Sequence, residues 1–123
     1  MTDKFADYSR IEPLLRDVTL PKMFRVTQTF PRERIENVAE ETRRQLLNAR
    51  VTEKIRPGMT VAVTGSSRGI ANMNVILREV VAFLKEAGAK PFIIPAMGSH
   101  GGATAEGQAQ VLRSYGITEE FCG

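Results

Sequence analysis

The 123-residue sequence predicts an α/β fold with a mostly parallel sheet and helical crossovers. Two short apolar runs, Thr60-Val-Ala-Val-Thr64, rich in β-branched residues, and Lys90-Pro-Phe-Ile-Ile94, read as strands. Between them Met73, Leu77, Val80 and Leu84 recur at three- and four-residue intervals, the spacing of one helix face. Each run is followed by a glycine-containing loop and then a helical pattern. A helix of this length between two strands is the connection that joins parallel neighbours, because a tight hairpin cannot.

Each element has a local reason. Residues 1–22 show no sustained period, and Leu14-Leu15 with Val18-Thr-Leu-Pro21 suggest an extended arm or edge strand. This arm precedes an incomplete α/β domain expected over 23–123. Met23–Phe30 reads as a strand in which Phe24, Val26, Gln28 and Phe30 share one side. Pro31 fits a helix's first position, where its missing N–H costs little, and Ile35, Val38, Thr42, Leu46 and Ala49 continue as an apolar stripe, so a helix is expected over 31–49. Glu33, Glu36, Glu40 and Glu41 fall early and Arg43, Arg44 and Arg50 late, matching the helix dipole.

Arg56-Pro-Gly-Met59 predicts a turn into the strand at 60–64. Gly65-Ser-Ser-Arg-Gly69 ends that strand and leads to a helix over about 71–87, with Met73, Ile76 or Leu77, Val80, Leu84 and Ala87 facing inward and Gly88 as a left-handed stop. After the strand at 90–94 comes Pro95-Ala-Met-Gly-Ser-His-Gly-Gly102. The last helix is expected from near Thr104 to Gly116, with Ala109 and Leu112 on its packing side.

Composition narrows the function classes. At 42% hydrophobic the chain supports one small core, and two independent domains are not expected. The net charge of +3 comes from scattered Lys and Arg, not from a basic stripe, so no nucleic-acid partner is expected, and Arg43-Arg44 reads as part of a solvated face. Cys122 is the single cysteine, which excludes an internal disulfide and a thiolate cluster; a buried or incidental thiol is expected. No apolar stretch approaches the roughly 20 residues of a membrane span, and the start lacks a secretory pattern, so no membrane partner and a cytoplasmic location are expected. One histidine and dispersed acids offer no metal-ligand spacing, so no metal site is expected within this segment. Gly116–Gly123 resembles a connection toward a further element, and the chain therefore reads as a piece of a larger protein.

The two loops concentrate the chemistry. In open α/β sheets ligands occupy crevices beyond the strand carboxyl ends, where helix starts present free N–H groups. Gly65-Ser-Ser-Arg-Gly69 and Gly98-Ser-His-Gly-Gly102 are therefore expected to form one site. Exposed backbone donors of the Gly65–Gly69 loop, the Ser66 or Ser67 hydroxyl and the planar fork of Arg68 suit a phosphate or carboxylate. The loop matches neither a P-loop nor a clean dinucleotide fingerprint, and by sequence physics alone a structural turn with an exposed arginine is the slightly favoured alternative. His100 suits proton transfer, metal ligation or a backbone cap, with Ser99 beside it. Ser66, Ser67 and Ser99 do not make a hydrolase pattern, since no Gly-x-Ser-x-Gly and no acidic partner for His100 accompany them.

Taken together, Arg56-Pro-Gly-Met-Thr-Val-Ala-Val-Thr-Gly-Ser-Ser-Arg68 and Pro95-Ala-Met-Gly-Ser-His-Gly-Gly-Ala-Thr104 resemble the N-terminal domain of the nickel-dependent lactate racemase family. The resemblance runs from about residue 10 to the end of the chain. It implies a Rossmann-like N-terminal fragment of a larger protein whose missing C-terminal domain completes the site around a nickel pincer nucleotide. It further implies hydride removal at the carbon bearing a 2-hydroxyl of a small anionic organic substrate, with His100 as one of two proton-transfer histidines. Arg68 matches the arginine of an Asp-x-Thr-Arg loop, here Gly-Ser-Ser-Arg, with Gly65 at the acidic position and Ser67 for threonine. By this resemblance Gly65, Ser66, Ser67 and Arg68 contact the cofactor, while Arg68, Ser99 and His100 contact substrate. The attachment lysine and the metal-binding histidine fall outside the chain, so the isolated fragment is expected to carry no cofactor and to be inactive. The other reading is a noncatalytic ligand-binding or interaction domain that keeps the fold.

Overall fold

The computed structural model describes residues 9–19, 21–31, 33–68 and 70–123. The chain divides into two units, Met1–Arg32 and Glu33–Gly123. In the first, a single helical turn, α1 (Glu12–Leu15), has Pro13 in its first turn and buries nothing. Leu14 and Leu15 are thus helical instead of extended, while the remainder of the expected arm falls partly on residues 1–8 and Leu20, outside the described residues.

The strand expected at Met23–Phe30 does not form. Its alternation is real, but a lone strand is not stable without a pairing partner, the segment pairs with none among the described residues, and Met23, Phe24, Val26 and Phe30 lie exposed. Period two in a sequence reports a preference, not a partner.

The second unit is a small α/β fold, a parallel two-stranded sheet flanked by helices. Helix α2 spans Val38–Asn48, so the expected start at Pro31 is corrected by seven residues. Asn37 explains the difference. Its side chain accepts the Glu40 N–H at 3.1 Å and donates to the Glu40 carboxylate at 3.1 Å. An Asn cap with Glu three residues on satisfies donors that Pro31 cannot, and Ile35 is left exposed ahead of the helix. A 3₁₀ turn, Val51–Lys54, follows.

Strand β1 (Thr60–Gly65) is launched by Arg56-Pro-Gly-Met59, where Met59 N–H donates to the Arg56 carbonyl at 3.0 Å and Gly58 takes φ +81°. Proline second and a left-handed glycine third is the type II arrangement. Helix α3 (Met73–Glu86) is the crossover, burying Met73, Leu77, Val81, Phe83 and Leu84. It ends as the sequence predicts: Gly88 takes φ +85°, its N–H donates to Lys85, and Ala89 N–H donates back to Leu84. That is a Schellman stop, available cheaply only to a residue without Cβ.

Strand β2 (Lys90–Pro95) pairs parallel with β1 in the register Thr60↔Lys90 through Gly65↔Pro95. Helix α4 (Ala105–Ser114) begins on the Thr104 hydroxyl, which accepts the Gly107 N–H at 3.0 Å. It closes with a second Schellman stop at Gly116, with Ile117 N–H donating to Leu112. A last turn, α5 (Glu119–Cys122), is capped by Thr118. Met73, Leu77, Met97, Leu112, Ile117 and Cys122 form the core, with Val63 and Ile93 packed against it. Alternate strand residues face the helices, while Phe92 and Ile94 remain exposed on the other face. Among the described residues no helix is long and apolar enough to cross a membrane.

Two measurements check this account. Asn37→Ala is expected to cost about 1 kcal/mol, read as a lower urea midpoint at unchanged slope. Burial of the Cys122 thiol pushes its pKa up, so the unfolded chain releases that proton first as pH rises. The stability contributed by the protonated thiol is therefore complete below its ordinary pKa of about 8.5 and lost progressively above it. Unfolding free energy measured against pH should fall less steeply above that value in Cys122→Ala than in the unaltered chain.

Candidate functional site

The parallel register brings the two predicted loops to one edge. Both strands end level, at Gly65 and Pro95, and Ala96 N–H donates to the Gly65 carbonyl at 2.8 Å, tying their exits together. Beyond this point Ser67 Oγ lies 2.6 Å from His100 Nδ1, and an Arg68 terminal guanidinium nitrogen lies 2.6 Å from His100 Nε2. The chain Ser67–His100–Arg68 joins residues from both loops. Gly69, expected to close the first loop, lies outside the described residues.

The donor inventory of this chain determines its protons. Guanidinium has five N–H donors and no acceptor, so Nε2 must be the acceptor and carry a bare lone pair. A neutral ring with bare Nε2 has its proton on Nδ1, which donates to Ser67 Oγ. Ser67 is buried, and this bond satisfies it. The same logic removes a serine-nucleophile arrangement from this state, because a base that already holds its Nδ1 proton cannot take the Ser67 proton.

The remaining predicted residues sit close by in different roles. Ser66 Oγ accepts the Arg68 backbone N–H at 3.4 Å and shapes the loop. Ser99 is exposed and makes no side-chain cap. Gly65 is buried, and a Cβ there would stand 2.8 Å from Leu112 Cδ2 and 3.5 Å from Ile93 Cγ2. Its lack of a side chain lets α4 close over the strand end.

Three residues of α4 and its cap hold the loops and were not singled out in the sequence. The Tyr115 hydroxyl donates to the Ser67 carbonyl at 2.7 Å. Gln108 Nε2 donates to the Gly98 carbonyl at 2.7 Å. Gly107 meets Gly101 backbone to backbone: a Cβ on Gly107 would stand 1.8 Å from the Gly101 oxygen, and one on Gly101 only 2.4 Å from the Gly107 carbonyl carbon. The available signal was spacing. Gln108, Leu112 and Tyr115 fall at i, i+4 and i+7, one helix face aimed at the sheet end.

The turn that carries His100 is unusual in backbone. Gly101, Gly102 and Ala103 take φ of 62°, 68° and 56° in succession, left-handed throughout. Glycine does this freely, but at Ala103 the Cβ costs about 1–2 kcal/mol.

Arg68 differs in its partner from Arg43 and Arg44. Arg43 pairs with Glu86 and Arg44 with Glu41, and these contacts raise both guanidinium pKa values and hold the Glu41 carboxyl below its usual range. Arg68 is exposed, and among the described residues no carboxylate pairs with it. Among the described residues no group of three His, Cys, Asp or Glu could hold a metal ion. A separate cleft of about 520 Å³ runs along β2 beside α4 and α5, lined by Phe92, Ile93, Leu112 and Cys122. Its lining includes none of Ser66, Ser67, Arg68 and His100.

Compared with known protein families, with characterised proteins and with solved structures, the chain matches none. Its chemistry therefore rests on the residues themselves.

Backbone substitutions test the turn. Gly107→Ala is expected to destabilise the unit by about 1–3 kcal/mol and to displace His100, seen as denaturant midpoint and as a shifted imidazole resonance. Ala103→Gly is expected to go the other way, stabilising by up to about 1 kcal/mol without moving that resonance.

Proposed function

We propose that this chain supplies the anion-binding and proton-transfer side of a racemase- or epimerase-like enzyme acting on a small 2-hydroxy acid. In this reading it is the Rossmann-like N-terminal part of a longer protein, and a second domain completes the cleft. The observation that supports it best is the Ser67–His100–Arg68 chain at the carboxyl edge of two parallel strands, where such folds bind ligands.

Each residue has a task suited to its geometry. Arg68, exposed and lacking a carboxylate partner, offers a planar fork to the substrate carboxylate. Ser67 keeps the ring proton on Nδ1, so that Nε2 is the basic nitrogen. Once Nε2 is clear, it takes the proton of the 2-hydroxyl: the O–H bond breaks, an N–H bond forms, and the imidazolium keeps its Nδ1 bond to Ser67. Returning the proton restores the hydroxyl.

A nickel pincer nucleotide, implied by the motif resemblance, would supply the hydride acceptor at the hydroxyl-bearing carbon when bound. The described residues provide no metal donor set, so their fit is to the anionic part of such a group, through Ser66, Arg68 and the backbone of their loop. With Leu112 seated over Gly65 the loop end carries no carboxylate to repel an anion. One feature favours the noncatalytic alternative: both imidazole nitrogens are already engaged, as in a purely structural histidine.

The test uses the whole protein, produced in cells that make the nickel cofactor. Native mass spectrometry with metal analysis should find nickel and an organic adduct, and chiral chromatography should follow interconversion of 2-hydroxy acid enantiomers. His100→Gln should lower kcat by at least about 100-fold, and Arg68→Ala should lower kcat/KM chiefly through KM. Absence of nickel and adduct, with turnover indifferent to both substitutions, would replace this reading by the noncatalytic one.

A further inference from the structure

We propose that Arg68 is a removable mask on the catalytic nitrogen of His100, and that a substrate carboxylate is what removes it. The inference rests on the reading that Arg68 receives the substrate's anionic group, and it adds how the site responds to that group. It starts from a conflict in the geometry. The nitrogen that must accept the hydroxyl proton is the one to which Arg68 donates at 2.6 Å, and a lone pair engaged by a guanidinium is closed to a second proton donor.

The contact is built to be exchanged. Arg68 is exposed and unpaired with any carboxylate among the described residues, so its charge faces only a neutral ring. A carboxylate is a far better partner for the fork than one imidazole nitrogen, since it takes two parallel charge-assisted hydrogen bonds. The other side of the ring does not exchange: Ser67 is buried, and its carbonyl is gripped by Tyr115 at 2.7 Å. Arrival of a carboxylate thus pulls Arg68 away while Ser67 keeps the proton on Nδ1. Nε2 is bared when an acid is bound and covered otherwise. A neutral alcohol lacks the charge to displace Arg68 and meets a blocked base, so specificity for acids lies in uncovering the base as well as in binding.

His100 is the chain's single histidine, so an untagged, ¹⁵N-labelled 123-residue chain gives one imidazole spin system. At mildly alkaline pH, two-bond ¹H–¹⁵N correlations distinguish the protonated nitrogen from the bare one. The free chain should show Nδ1 protonated and Nε2 bare. Titration with acetate should move Nε2 saturably and leave Nδ1 protonated, while ethylene glycol, a neutral hydroxyl probe, should move neither. In Arg68→Ala the Nε2 response to acetate should vanish, with Nδ1 still protonated against Ser67. A proton on Nε2 in the free unaltered chain, an Nε2 indifferent to acetate, or an equal response to ethylene glycol would each overturn the mask. Its failure is separable from that of the enzymatic reading. Racemisation by the whole protein with a silent Nε2 removes the mask alone, and an acetate-responsive Nε2 without racemisation removes the reaction alone.

Discussion

Everything at the site depends on the register of one parallel strand pair. Gly65 opposite Pro95 means that β1 and β2 end level, and the hydrogen bond from Ala96 N–H to the Gly65 carbonyl fixes the two exits side by side. Parallel pairing puts both exits at the same edge, which an antiparallel hairpin could not do with these two loops. A shift of one position would turn Val63 or Ile93 from the helices toward the open face and lose the core that holds the strands. Hydrophobic pattern therefore controls, at one remove, the 2.6 Å separations around His100.

Helix α4 converts that placement into a defined geometry. Leu112 in its last turn sits in the core, Gln108 fastens the His100 loop one turn earlier, and Tyr115 at its C-cap fastens the Ser67 loop. The helix start is pressed so closely on the turn that Gly101 and Gly107 leave no room for a Cβ on either. The left-handed run at Gly101, Gly102 and Ala103 is held by this contact and by the Thr104 cap. Strain at Ala103 persists because the surrounding backbone over-determines it.

The parts legible in the sequence were those whose causes are local. Both strands of the sheet, the crossover helix and its stop at Gly88 follow from alternation, helical spacing and one left-handed glycine. The meeting of the 65–68 and 98–102 segments followed from topology alone. The start of α2 was legible too, in Asn37-Val-Ala-Glu40, but Pro31 offered a competing start and the side-chain cap prevailed. Met23–Phe30 carried a strand pattern but pairs with no strand among the described residues, and pairing is a fact that no local reading contains. Tyr115 and Gln108 were hidden for another reason: their partners are backbone carbonyls, which every residue has and no motif marks.

Arginine shows most sharply where sequence reading ends. Arg43, Arg44 and Arg68 are chemically identical, yet two are neutralised by nearby glutamates and one faces an imidazole. The difference lies in what the fold sets opposite each. Gly65 takes part in that difference by what it lacks, since Leu112 fills the space over it and a carboxylate at this strand end would have to displace a core side chain. The small residue that allows α4 to close also keeps the neighbouring loop end free of negative charge. Close packing and an uncharged strand end are therefore two consequences of the same missing side chain, since even a bare Cβ at Gly65 would stand 2.8 Å from Leu112 Cδ2.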